Sequence, residues 1–189
     1  MRDDVLTGGF ADAPVQSARA FRAALDALAH PGRIVTVAGG IAPAPVSPAA
    51  ATLLLALCDG ETPLHLAPGH DAQEVRDWVA FHIGAPIVGP GEAMFALGGW
   101  TALGRLDAYP SGTPDYPDRS ATLIVELDRL AAEGPRLTGP GIETVARLSL
   151  PETAAFRANR ASFPLGRDFF FTAANALAAL PRSTFVEDA

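Results

Sequence analysis

The sequence predicts an α/β fold, a three-layer α/β/α sandwich with helices on both faces of a mixed sheet. Three observations predict it. Segments with the 3.6-residue period of helices alternate along the chain with short runs rich in β-branched and aromatic residues. The runs at 121–127 and 169–171 are apolar with little or no alternation, the pattern of strands buried on both faces. A chain of 189 residues, 49% hydrophobic and 19% charged, also has the size and composition of one domain with a sizeable core. No repeat, linker or low-complexity break interrupts it, so residues 1–189 read as a single domain.

The elements follow in order. Gly8-Gly9-Phe10 leads into a first helix, with Asp12 as N-cap and Pro14 in the first turn, where a missing N–H costs little. Phe21, Leu25 and Leu28 recur at i, i+4 and i+7 with Ala18 on the same stripe, and this is the expected core face. His30-Pro31-Gly32 ends the helix, and 33–37 reads as a short strand. Ser47 caps a second helix with Pro48 at its first position, running to Cys58. A turn at 59–62 hands over to a strand at 63–66. Asp71 and Glu74 form a capping-box pattern before a third helix, whose inner face is Val75, Trp78, Val79 and His82, with Gly84 as C-cap.

Strands are expected at 86–88 and, after the Gly89-Pro90-Gly91 turn, at 92–97; a short helix is expected around 100–106. Residues 109–119 contain three prolines and read as a surface loop, and 121–127 is the clearest interior strand. Residues 143–150 show no clear period. Residues 151–161 read as a helix with Phe156 facing inward. In Gly139-Pro140-Gly141 the proline should hold Gly139 extended while Gly141 takes positive φ. Six of the ten phenylalanines lie from Phe156 onward, so the large apolar surface is concentrated in the last third, where Asp168 opens the run Phe169-Phe170-Phe171.

Composition narrows the function. A net charge of −7 and a pI near 5.0 argue against nonspecific binding to nucleic acid or an anionic membrane. No apolar run approaches the ~18 residues of a membrane span. Met1-Arg2-Asp3-Asp4 lacks the apolar core of a signal peptide, and the single cysteine, Cys58, permits no internal disulfide and reads as a buried inert thiol. A cytoplasmic protein is expected. All 14 basic residues are arginine. Without lysine no side-chain amine can form a Schiff base, and the phosphate-loop lysine is missing as well.

Chemistry-bearing constellations are few. His30, His65, His70 and His82 fall at no metal-ligand spacing, so no metal site is expected, and His82 reads as a satisfied core histidine. Asp59 and Glu61 read as turn residues. No Gly-x-Ser-x-Gly elbow and no strand-borne Gly-x-Gly-x-x-Gly occurs. What remains is arginine: Arg157, Arg160, Arg167 and Arg182, three of them beside turn residues. Planar guanidinium groups suit phosphate or carboxylate, and they equally suit a protein interface. Arg160, Arg167 and Arg182 are therefore candidate anion or interface residues. Asp168 is a structural polar residue expected to pair with Arg182. No nucleophile–base pair is visible, so no catalytic residue is assigned.

Several stretches carry a resemblance. Gly9-Phe10, Phe21-Arg22, Pro31-Gly32, Asp59-Gly60-Glu61-Thr62-Pro63-Leu64, Phe95-Ala96-Leu97, Gly139-Pro140-Gly141-Ile142, Phe163-Pro164-Leu165-Gly166 with Asp168, and Leu180-Pro181-Arg182 occur in an order and spacing that resembles the PhnH family, the H subunit of the bacterial carbon–phosphorus lyase core complex. Arg167 stands where the resemblance leads one to expect an aliphatic residue, and Ser183 where it suggests threonine. The resemblance implies a fold akin to pyridoxal-phosphate-dependent transferases with the cofactor site lost, hence no cofactor, and a homodimer. It implies partnership with the G, I and J subunits, which couple methylphosphonate to the ribose of a nucleoside triphosphate. A different subunit's iron–sulfur cluster later cleaves the carbon–phosphorus bond; one cysteine here means no cluster in this chain. The expected role is structural or regulatory, with a large exposed apolar patch for partner contact. The alternative is a phosphate- or nucleotide-binding enzyme using the arginines near the C-terminal strand.

Overall fold

The computed structural model describes residues 7–188, so the leader expectation at Met1-Arg2-Asp3-Asp4 lies outside the described residues. Five helices, α1 (Ala13–Ala29), α2 (Pro48–Leu57), α3 (Gln73–His82), α4 (Trp100–Leu103) and α5 (Ala154–Ala161), alternate with nine strands. The strands are β1 (Val35–Thr36), β2 (Leu64–Leu66), β3 (Phe95–Gly99), β4 (Thr122–Glu126), β5 (Arg136–Thr138), β6 (Ala146–Arg147), β7 (Asp168–Ala173), β8 (Ala176–Leu180) and β9 (Phe185–Glu187). Six of them form one mixed sheet in the order β1-β8-β7-β4-β3-β2, in which β2, β3, β4 and β7 run parallel, β8 pairs antiparallel with β7, and β1 pairs antiparallel with β8. The other three form a small antiparallel sheet, β6-β5-β9.

Register explains why the central strands are apolar throughout. Leu97, Ile124 and Phe170 lie side by side and face one core, shared with α1, α2 and α3. Their neighbours Ala96, Leu123 and Phe169 face a second core on the opposite side, shared with α4, α5 and the small sheet. With a core on each face, alternate residues have no reason to be polar. The mixed α/β class expected from sequence is therefore observed, but the second outer layer combines helix with sheet.

Individual elements depart from expectation for local reasons. The largest correction concerns α1: it buries Ala20, Ala24 and Ala27, while Phe21 and Leu25 remain about half exposed, at 49% and 51%. The helix lies against α2 and β8, and the core they share with it is rich in alanine (Ala49, Ala50, Ala51 and Ala179), so close approach selects the small stripe over the large one. Asp12 occupies the N-cap of α1 without a side-chain cap bond. The capping box at α3 does not form, because Ala72 is the N-cap and Asp71 pairs with Arg76. Ser47, by contrast, caps α2 as expected, accepting the Ala50 N–H at 3.1 Å.

The segment at 86–88 contributes a single bridge, Leu64 to Ile87, and the strand expected at 92–97 begins later, at Phe95, after a 3-10 turn at Pro90–Glu92. Gly139 takes φ +126° instead of an extended conformation. Gly141 has the expected positive φ, and a Cβ there would stand 2.0 Å from the Ala29 carbonyl oxygen, so the bend is pressed against the end of α1. Among the described residues, no helix is long and apolar enough to cross a membrane.

Candidate functional site

The arginines expected to act together are held by three separate sets of partners around the start of β7. Asp168, first residue of that strand, accepts the Arg182 backbone N–H at 2.8 Å and its Nε at 3.1 Å through Oδ1, while Oδ2 takes Nε and Nη2. Arg182 also donates through Nη1 to the Pro117 carbonyl at 2.7 Å and through Nη2 to Ser120 Oγ. Four of its five N–H groups are thus engaged. Its side chain is only 14% exposed. The pair ties the end of β8 and the start of β7 to the 109–120 loop.

Arg160, on α5, donates through Nε to the Ser183 carbonyl at 3.2 Å, and its guanidinium lies over the rings of Phe163 and Phe185, at 4.8 and 4.1 Å from their centroids. One turn earlier Arg157 donates to the Val186 carbonyl at 3.1 Å and pairs with Asp188. Two side chains of α5 therefore satisfy carbonyls of β9, an edge strand of the small sheet, and of the turn that precedes it. A hollow of about 240 Å³ lies between them and Phe185.

Arg167 is positioned by Asn159, which is buried on α5. Asn159 Oδ1 accepts the Arg167 N–H at 2.8 Å, and its Nδ2 donates to the Arg167 carbonyl at 2.9 Å. Gly166 makes this approach possible: it has φ +127°, and a Cβ there would sit 3.0 Å from Asn159 Oδ1. The Arg167 side chain reaches back to the Tyr109 carbonyl through Nε, at 3.1 Å, and Nη2. Burial pulls its pKa below the usual arginine value; Asp107 opposes that shift and the nearby charge of Arg182 adds to it. Arg167 lines a cleft of about 620 Å³ that also touches Trp100, Thr101, Asp107, Glu152 and Ser162.

The histidines do not converge on a metal, and among the described residues no group of three or more His, Cys, Asp or Glu side chains could hold one. His65 Nδ1 lies 3.0 Å from the Val88 carbonyl oxygen. His70 is buried with neither ring nitrogen partnered among the described residues; burial pushes its pKa down and Glu126 counters it. His82 is corrected from a satisfied core residue: it is half-buried against Trp78 and Phe81, and its Nε2 has no partner among the described residues. Cys58 follows the last residue of α2, and burial, helped by Asp59, pushes its thiol pKa up to about 12. Asp59 accepts from the Glu61 N–H and the Thr62 hydroxyl and so closes its own turn.

Sequence reasoning missed Trp100, Tyr109 and Asn159. Asn159 had a readable signal, an amide three residues after Phe156 on the inward face of a helix. Tyr109 contributes its backbone carbonyl to Arg167, which no side-chain pattern reveals.

Residues 8–187 match the protein family described as "Bacterial phosphonate metabolism protein (PhnH)". The chain is 36% identical to a protein of Rhizobium meliloti (strain 1021) described as alpha-D-ribose 1-methylphosphonate 5-triphosphate synthase subunit PhnH, over 98% of either chain. It is 31% identical to a Stutzerimonas stutzeri protein described as putative C-P lyase subunit protein HtxG, over 94% of either chain.

Proposed function

The chain belongs to the PhnH family of bacterial phosphonate metabolism proteins, and on that premise we propose that it acts through its surface, as a non-catalytic subunit of a phosphonate-degrading assembly. It serves phosphonate catabolism as one subunit of a multi-subunit carbon–phosphorus lyase system, the role for which its relatives are named. Its finer place is our reading: in the cytoplasm, in contact with the G, I or J subunits, structural or regulatory, and a homodimer. We read the scaffold as akin to that of pyridoxal-phosphate-dependent transferases; a chain without lysine supplies no amine for that cofactor.

The observation that carries the reading is the outward face of α1. Val15, Phe21 and Leu25 are 43%, 49% and 51% exposed, while the same helix holds the core with alanines. Large side chains left in water on a helix anchored by small ones are suited to burial against another protein. The anion-binding alternative keeps less support, since Arg182 is committed to Asp168, and Arg160 to the Ser183 carbonyl and two rings.

Co-expression of the tagged chain with the other core subunits tests this. The wild-type chain should retain them on purification. The double variant Phe21→Asp, Leu25→Asp should release them while melting at the same temperature, because neither residue fills the core. A wild-type chain that never retains another subunit would defeat the reading, and retention by the double variant would move the contact away from α1.

A further inference from the structure

The cleft beside Arg167 belongs to no contact described above. One wall is the side of α5 that carries Ala155, Asn159 and Ser162; the other is α4 with the 3-10 turn at Leu106–Ala108. Ala155 and Ser162 are small, which leaves the space open. Trp100 borders it and is braced from behind, its ring 4.8 Å from that of Phe156, which in turn meets Phe169 edge-on at 5.0 Å. The indole is therefore a rigid wall.

Arg167 is the cleft's half-buried cation, and among the described residues no carboxylate lies within ion-pair distance of it. Its bonds to Tyr109 use Nε–H and one Nη2–H, along one edge of the planar guanidinium. Nη1 and the remaining Nη2–H are left, the end-on edge that presents two parallel donors to a bidentate oxyanion. Two carboxylates share the cleft, but both are occupied. Asp107 is held by Arg105 at the exposed rim, and Glu152 accepts the Ala155 N–H at 3.0 Å. Asp107 acts on Arg167 through its charge but is itself paired with Arg105, and both carboxylates would repel a second negative group on a ligand.

The geometry points to a binding site for a small organic oxyanion: a single carboxylate, phosphate or phosphonate head on the free edge of Arg167, with an uncharged body against Trp100. A cleft of this volume is in the usual range for small-molecule sites. The site is independent of the subunit reading, because it is tested on the chain alone and can fail while association persists.

The chain carries two tryptophans. Trp78 is fully buried on the other side of the sheet, so emission changes report Trp100. Titration of the full chain with methylphosphonate, inorganic phosphate and acetate separates the head groups. At least one should give a saturable emission change with a dissociation constant on the order of 1 mM or tighter. Trp100→Phe should remove the signal. Arg167→Leu should weaken binding at least about tenfold, as loss of charge-assisted bonds requires. Since Arg167 also braces Tyr109, a second variant leaves it untouched: Ala158→Glu, at an exposed position lining the cleft, should abolish binding with an unchanged melting curve. Arg160→Ala should bind as the wild type does. No saturable change with any of the three anions, or full affinity in either Arg167→Leu or Ala158→Glu, overturns the assignment.

Discussion

Asp168 and Arg182 show how much one ion pair can organise when backbone groups join it. The carboxylate accepts both a main-chain N–H and the guanidinium of the same residue, and the guanidinium continues to Pro117 and Ser120. Removing the acid leaves a mostly buried cation and an unmet N–H. Asp168→Ala should therefore lower unfolding free energy by about 3 kcal/mol in urea titration; an unchanged midpoint would show that the pair holds nothing. This pairing was legible in the sequence, because opposite charges beside a buried strand need each other. The partner of Arg167 was not legible. It is a carbonyl 58 positions away, brought near by a proline-rich loop whose path the sequence does not dictate.

Among the elements, α1 separates hydrophobic pattern from packing. Two apolar stripes lie on it, one large and one small, and a period of 3.6 cannot choose between them. The choice is made by the core that α1 packs into, where α2 contributes Ala49, Ala50 and Ala51 and β8 contributes Leu177 and Ala179, small relief that admits the alanine stripe. Ala24→Leu should overpack this contact and cost about 1–3 kcal/mol. Phe21→Ser should change stability by no more than about 0.5 kcal/mol. Equal losses in thermal or urea unfolding would mean that Phe21 belongs to the core after all. β8 escaped sequence reading for the same reason: alanine has no strand preference, and the hairpin turns at Ala174-Asn175 with Ala174 at φ +50°, a conformation that alanine does not advertise. The small sheet, built of strands two and three residues long, is too short to show a period.

Across the whole molecule, the layers were legible because unbroken apolar strands between amphipathic helices leave few other architectures. The small sheet replacing part of an outer helical layer was not, since its pairings arise only after the chain closes. The same layering leaves the large side chains of α1 facing outward and the arginines near β7 bound mostly to the protein itself. The central proposal is accordingly that this subunit contributes contact surface while the chemistry of phosphonate breakdown is done elsewhere in the assembly. The most direct measurement is turnover by the purified chain with no companion subunit, supplied with methylphosphonate and a nucleoside triphosphate. The account predicts that neither is consumed. Consumption of either, lost again when Arg167 is replaced by leucine, would contradict it.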